Sequence, residues 1–438
     1  MERPVGPATL TESNGARPRL RDWQVQGLSV AWQPIESQPI MNTLSTSLTR
    51  RAFLAGTAAG AALVLKPDLV FGAAANSKVR LGLIGCGGRG MWIADLFQQS
   101  GLYEWVAGAD FFEDRVTAFG EKFGVPAARR HTGLASHRRL LEEPVDAVVI
   151  ETPPYFHPQQ AMDAVEAGKH VFLAKPVAVD APGCLTIGEA GRRATEQRLV
   201  FLVDFQTRAS AHYREALGMV RRGDIGDLVL VESHYPWRGG GRGVPPVTPA
   251  ERLRSWYYVL ELSGDFIVEQ SIHALDVATW IVDADPVRAV GTGGRKVRPP
   301  GSIYDHFALR YDFPGDLAMS FTCIQAIPEV KDEIRARAFG ADGVIDTDYY
   351  TGVVLRGKEA YRGDEPNLYT TGTEVNIREF HQFITAGHYT NPTVAPSVRS
   401  NLTAVLGREA GYRRGEVTLA ELLREGRRLE PDLKGLKV

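Results

Sequence analysis

Cysteine is scarce in this sequence: three residues in 438, at Cys86, Cys184 and Cys323. They are odd in number and far apart, which supports neither a disulfide framework nor a cysteine zinc site. An excess of one charge is missing too. Against 50 Lys and Arg stand 52 Asp and Glu, a formal net charge of -2, so nothing in the balance calls for a nucleic acid or an anionic membrane as partner. Long hydrophobic runs are absent, and the apolar stretch Ala55–Leu65 is too short to span a bilayer comfortably. No internal repeat is visible. What is present is ordinary for a soluble globular protein, 44% hydrophobic and 23% charged residues, in a chain long enough for two or three domains with real cores.

The first 75 residues stand apart from the rest. Residues 1–40 are rich in Pro, Gln and Ser and show no sustained apolar period, so they read as a disordered leader, or as sequence upstream of a translation start at Met41. Thr49-Arg50-Arg51-Ala52-Phe53-Leu54 follows, then the Ala- and Gly-rich run to Leu65. Paired arginines ahead of a short, weakly apolar region resemble a twin-arginine export signal, with Ala73-Ala74-Ala75 as the small-residue cleavage site. Residues 41–75 are therefore expected to be a signal peptide, the twin-arginine export machinery a partner, and the product periplasmic, with no stable membrane insertion after cleavage.

Residues 77–203 alternate short apolar runs with helical patterns. Strands are predicted over 78–84, 104–109, 146–150, 170–173 and 199–203, and helices over 91–99, 159–167 and 184–197. That order argues for a parallel, doubly wound sheet. From 204 to 438 the pattern changes. Runs at 228–235, 287–297, 305–313, 317–324 and 334–338 read as strands with few helices between them, which predicts an α+β domain with a mainly antiparallel sheet. Helices near 374–386 and 398–413 close the chain, and Arg238-Gly-Gly-Gly-Arg-Gly243 reads as a mobile loop.

Gly85-Cys86-Gly87-Gly88-Arg89-Gly90 lies between the first strand and the first helix. In that setting Gly85 permits the tight turn, Gly87 lets backbone approach a pyrophosphate, and Gly90 lets helix and strand pack. The helix N-terminus, with Gly88 and Arg89, offers N–H groups to phosphates. Asp110, twenty residues past Gly90 at the end of the second strand, can accept both ribose hydroxyls and would repel a 2′-phosphate, so NAD is expected over NADP.

Two further segments carry candidate chemistry. Lys175-Pro176 follows a buried strand at the sheet edge where such folds bind ligands, and an ammonium there can donate to a substrate hydroxyl. In Glu269-Gln270-Ser271-Ile272-His273-Ala274-Leu275-Asp276-Val277-Ala278-Thr279-Trp280, one continuous helix would put 269, 273, 276 and 280 on one stripe. His273 could then serve as a base oriented by the nearby carboxylates. Equally, Glu269 and His273 could be a satisfied core pair, and two ligands on one helix do not make a metal site; no metal is expected.

Taken together these residues resemble the glucose–fructose oxidoreductase and inositol dehydrogenase family (Gfo/Idh/MocA) over roughly 78–425. The matches are Gly85/Gly87/Gly90, Asp110, Thr152-Pro153 with His157, Lys175-Pro176, His273 with Asp276, and the closing segment from Asn401 to Thr418. Two positions depart: Ala174 stands where a Glu usually precedes the Lys, and Glu269 where many members carry Asp. The resemblance implies that Thr152, Pro153, His157 and Lys175 help hold the dinucleotide. It implies that Lys175, Glu269 and His273 act on a sugar or cyclitol hydroxyl, with His273 as base. Arg208, Trp256, Tyr257 and Asp276 are expected substrate contacts, and a homo-oligomer is expected. An exported enzyme would work where free dinucleotide is scarce, so a tightly held cofactor is expected. The alternatives are an NAD-dependent glycosidase working by transient oxidation and elimination, and a non-catalytic dinucleotide- or sugar-binding protein.

Overall fold

The Rossmann half starts from a six-residue apolar strand whose inward side chains are fully buried. The computed structural model describes residues 78–241, 246–299 and 303–438; the leader, the export signal and part of the 238–243 loop lie outside them. The chain runs β1 (Val79–Ile84), α1 (Gly88–Ser100), β2 (Tyr103–Asp110), α2 (Glu113–Phe123), β3 (Arg130–Thr132), α3 (Ser136–Leu141), β4 (Ala147–Ile150), α4 (His157–Glu166), β5 (His170–Ala174), α5 (Ala181–Glu196) and β6 (Phe201–Asp204). All six strands are parallel, in the order β3-β2-β1-β4-β5-β6. β4 is buried at every position, as expected of a strand covered on both faces. Phe97 of α1 packs edge-on against Tyr103, Trp105 and Phe172, contacts each worth about 0.5–1.5 kcal/mol beyond the area they bury. They seat α1 on the sheet, and so fix the turn that precedes it.

After β6 come α6 (Gln206–Ala209), α7 (Ala211–Arg221), β7 (Leu228–Trp237), α8 (Pro249–Arg254), α9 (Leu260–Ser263), α10 (Phe266–Glu269) and α11 (Ile272–Val282). A second sheet is completed by β8 (Arg288–Gly294), β9 (His306–Asp312), β10 (Ala318–Gln325), β11 (Arg335–Gly340), β12 (Gly343–Asp348), β13 (Gly352–Arg356) and β14 (Ala360–Asp364). The chain closes with α12 (Leu368–Ala386), α13 (Val394–Arg413), β15 (Glu416–Thr418) and α14 (Leu419–Glu425). The nine strands lie in the order β14-β13-β12-β11-β7-β10-β9-β8-β15. All neighbours are antiparallel except β7 and β10. Burial alternates along β9 and β10, so one face of the sheet is covered and the other open. Strands β3 and β12–β15 escape the sequence pattern: they are short, and their polar turns break the period before it can repeat.

The predicted helix over 269–280 is two helices. α10 ends at Glu269 and α11 starts at Ile272, with Gln270 and Ser271 between them. Asp265 starts α10 from a left-handed conformation, φ +74°, and its carboxylate accepts from Phe266 N, Tyr304 N and Tyr412 Oη. The segment is thus pinned from outside rather than propagated as one helix. Among the described residues no helix is long and apolar enough to cross a membrane.

Candidate active site

The glycine turn shows which glycines the backbone requires. Gly85 has φ +96°, and a Cβ there would stand 2.6 Å from the Glu151 carbonyl carbon. A Cβ on Gly90 would stand 1.9 Å from Gly85 O, so α1 and β1 meet only because neither carries a side chain. Gly87 and Gly88 answer to something else. A Cβ on Gly88 would meet nothing within 4 Å, and one on Gly87 would touch only the Arg115 guanidinium in ordinary contact. α1 starts at Gly88 with Gly87 as its N-cap and no side chain capping it, so its first amides are left for an anion.

Asp110 closes the adenosine end. It is 7% exposed, and its two carboxylate oxygens accept from Cys86 N and Phe112 N, each at 2.8 Å. This ties the turn to the end of β2 and leaves one lone pair of each oxygen toward the cleft. The cleft is lined from Gly85–Arg89 through Asp110–Phe112 and Arg115 to Glu151–Pro153 and Trp256. An open cradle, uncapped amides and a fixed carboxylate at its far end fit a dinucleotide. Trp256, expected beside the substrate, stands in this wall.

Thr152 Oγ donates to Gln160 Oε1 at 2.6 Å, and Thr152 and Pro153 line the cleft. His157 sits behind them. Its Nε2 faces Thr152 O at 2.7 Å and its Nδ1 faces Pro176 O at 2.8 Å, so the ring joins the ends of β4 and β5. Two carbonyl partners favour an N–H on each nitrogen, yet burial pushes the imidazole down to about 4.

Lys175 is 9% exposed and donates to Glu269 O at 2.7 Å and to Glu269 Oε1 at 3.3 Å. Burial lowers its ammonium from the ordinary lysine range, while the charge of Glu269 opposes that. Glu269 Oε2 and His273 Nδ1 are buried with no hydrogen-bond partner among the described residues. Burial, then the charges of Lys175 and Arg89, push His273 well below the ordinary histidine value, so its ring is neutral at neutral pH. Its ring lies 5.4 Å from that of Tyr349 and 6.1 Å from that of Phe205.

Other expected contacts are spent within the protein. Arg208 donates to Asp276 Oδ1 at 2.8 and 3.1 Å and stacks over Trp280 at 4.9 Å. Ser400 donates to the same oxygen at 2.7 Å. Among the described residues no carboxylate partners His273 Nδ1. Tyr257 donates to Gln325 Oε1 at 2.8 Å.

The sequence reading missed the residues that hold this site together. Asn401 of α13 accepts from Ala178 N at 3.2 Å and donates to Ala178 O at 3.1 Å, stitching the loop after Lys175. Arg408 donates to Val179 O and Gly264 O, so one helix positions both the Lys175 and the Glu269 segments. Glu151 and Asp204 were missed too. Each ends a buried apolar strand with a carboxylate, and that was the available signal. Arg89 reaches down from the turn to Asp204 Oδ2 at 2.5 Å and to Glu151 Oε2 at 3.1 Å, the latter an ion contact without hydrogen-bond geometry.

Comparison with known proteins bears on the family and the fold. Residues 79–205 match a family model described as the oxidoreductase family NAD-binding Rossmann fold, and residues 213–346 one described as the GFO/IDH/MocA C-terminal domain. The inositol 2-dehydrogenase of Gluconacetobacter diazotrophicus is 32% identical over 154 residues, 35% of this chain and 40% of that protein. The scyllo-inositol 2-dehydrogenase (NAD(+)) of Bacillus subtilis is 27% identical over 212 residues, 47% of this chain and 56% of that protein. The matched segments thus span about half the length of these curated relatives. The crystal structure of an aldose-aldose oxidoreductase from Caulobacter crescentus complexed with glycerol has the same fold, with a TM-score of 0.62 at 18% identity, covering 78% of this chain and 100% of that one.

Proposed function

The chain belongs to the GFO/IDH/MocA oxidoreductase family, and from that premise we propose that it oxidises a hydroxyl of a sugar or cyclitol, with NAD preferred over NADP. One observation carries the reading. Lys175, after β5, is hydrogen-bonded to Glu269 at the end of α10, and His273 in the first turn of α11 is buried four residues on, while Arg89 lines the dinucleotide cleft. Within the cluster Glu269 Oε2 and His273 Nδ1 lack partners. Buried polar atoms without partners cost about 1–3 kcal/mol each, and a polyol supplies what they lack.

The bound dinucleotide supplies the hydride acceptor. The chain supplies the rest. Lys175 donates a hydrogen bond to the reacting oxygen and stabilises the negative charge that grows there. His273, neutral because it is buried, takes the hydroxyl proton on a ring nitrogen. Glu269 fixes the Lys175 ammonium through its carbonyl and one carboxylate oxygen, and its free oxygen accepts from a neighbouring hydroxyl. Asp110, lining the cleft at the end of β2, would accept the ribose hydroxyls and is the basis of the NAD preference.

The proposal includes an exported protein that keeps its cofactor between turnovers. What supports retention is the closing segment: Leu433 and Leu436 join the hydrophobic cluster around Leu253, Val259 and Leu262 that also takes in Phe111, Phe112, Leu134 and Trp256, and Leu134 N donates to Lys437 O at 2.9 Å. Phe111, Phe112, Leu134 and Trp256 line the cleft. The test is to purify the protein with its export system intact, denature it, and measure released dinucleotide. The expected result is near one per chain; its absence would remove retention from the proposal but leave the oxidation untouched.

A further inference from the structure

Arg298, in the loop after β8, is a buried cation without a counter-ion. It is 4% exposed, and among the described residues it makes no ion pair, while its Nε and Nη1 have no hydrogen-bond partner. Only Nη2 is engaged, donating to Gln325 Oε1 at 2.7 Å and to Gly240 O at 3.4 Å. Gln325 ends β10 and is 1% exposed. Its Oε1 also accepts from Tyr257 Oη at 2.8 Å. A guanidinium can only donate, so it fixes the orientation of that amide. Gln325 Nε2 is left as a third buried donor with no partner.

The arrangement is built. Asp305 Oδ2 accepts from Lys296 N, Val297 N and Arg298 N at 2.7–3.1 Å, which pins the loop, and its Oδ1 faces His306 Nδ1 at 2.7 Å. The Asp265 carboxylate is taken up by Phe266, Tyr304 and Tyr412. Neither carboxylate pairs with the guanidinium. The guanidinium lies over the rings of Tyr257 and Tyr258, at 5.8 and 5.3 Å.

Two links tie the cluster to the rest of the site. Gln270, next to Glu269, donates to Tyr235 Oη at 2.8 Å. Tyr235 of β7 pairs with Cys323 of β10, and Gln325 lies two residues further along β10, so Tyr235 and Gln325 are diagonal neighbours on the covered face of the sheet. On the other side, Tyr257 follows Trp256, which lines the dinucleotide cleft. Three unmet donors, one carrying a full charge, call for an acceptor that is itself charged.

We propose that Arg298 and Gln325 form the acid-binding end of the substrate site, so that the compound oxidised here is a sugar acid whose carboxylate they hold. The inference rests on the oxidation proposed above and narrows its substrate.

The test sets glucuronate and galacturonate beside glucose and galactose on the cofactor-loaded protein, reading reduction of the bound nicotinamide. At least one acid is expected to exceed its neutral counterpart about tenfold or more in kcat/KM. Arg298→Met is expected to lower that ratio by about 10–100-fold, mostly through KM, and Arg298→Lys to recover part of it. A wild type that prefers the neutral sugars, or a ratio unchanged in Arg298→Met, would overturn the inference and leave the oxidation standing. A second arm needs no turnover. The acids are expected to raise the melting temperature of the loaded wild type more than the neutral sugars do, and Arg298→Met is expected to abolish the difference. Gln325→Glu guards against a variant that fails to fold: it sets a carboxylate beside Arg298, so it is expected to melt higher and to lose the response to acids. No thermal response of the wild type to either acid, or a response kept in Gln325→Glu, would overturn the inference. An acid that stabilises through Arg298 yet reduces no nicotinamide would support the acid site and defeat the oxidation.

Discussion

The dinucleotide end, which lines the cleft, and the buried Lys175–Glu269–His273 cluster, the reacting end of the proposal, are built on different principles. The dinucleotide end is made of backbone: glycines that touch neighbouring carbonyls, uncapped amides, and one carboxylate fixed by two N–H groups. The reacting end is made of side chains delivered by separate elements, several of them with unmet hydrogen-bonding capacity. The first end is rigid and narrowly specified. The second is held by hydrogen bonds and packing between separate elements, as between Lys175 and Glu269. A binding fold can thus keep one end constant while the other is retuned.

The largest expected effect tests the reacting end alone. Lys175→Met and His273→Asn should each lower kcat by roughly 10²–10⁴-fold. Dinucleotide affinity, read by quenching of intrinsic fluorescence, should change little. Comparable losses in affinity would mean that the two ends are one unit.

Next come the glycines, where effects on stability and on binding should separate. Gly85→Ala, strained at φ +96° and crowded by Glu151, should cost about 1–3 kcal/mol in denaturant unfolding. Gly88→Ala has open space around it. It should leave the unfolding midpoint of cofactor-free protein unchanged and weaken dinucleotide binding, since the added methyl enters the cradle. An unfolding loss at 88 equal to that at 85 would contradict the division of labour.

Asp110→Asn should narrow the preference for NAD over NADP by about 5–100-fold in Kd ratio, the equivalent of about 1–3 kcal/mol. Titration of both cofactors checks this, and an unchanged ratio would remove Asp110 as the discriminator.

The smallest effects concern pH. His157 and His170 are held near 4 by burial, below an ordinary value of 6.5. Between those values the unfolded chain binds more protons than the folded one. Their stabilisation is therefore complete above pH 6.5 and is lost as pH falls toward 4, which melting curves across that window would show. His273 is likewise depressed, so kcat/KM should show no acid limb from its protonation at or above pH 6.5.

How much of this could be read in the sequence follows the same division. The turn at 85–90 was legible because its chemistry is local: glycine spacing, a strand before and a helix after. Asp110 followed from counting along one βα unit. Lys175 and His273 were legible as types in a pattern, but not their surroundings. The start of α10 depends on Asp265, whose partners Tyr304 and Tyr412 lie 39 and 147 residues away. Arg208 and Asp276 looked available until the fold brought them together across 68 residues. The contacts of Arg89 with Glu151 and Asp204 bring together the ends of separate strands, which no single segment encodes.

The central claim is that one cleft joins the glycine turn to Lys175 and His273 for oxidation of a hydroxyl. The most direct measurement is absorbance of the bound nicotinamide while sugars and cyclitols are added to the cofactor-loaded wild type, Lys175→Met and His273→Asn. The account predicts reduction by at least one such compound in the wild type, abolished in both variants while cofactor stays bound. Undiminished reduction in either variant, or no response of the loaded wild type to any of them, would contradict it.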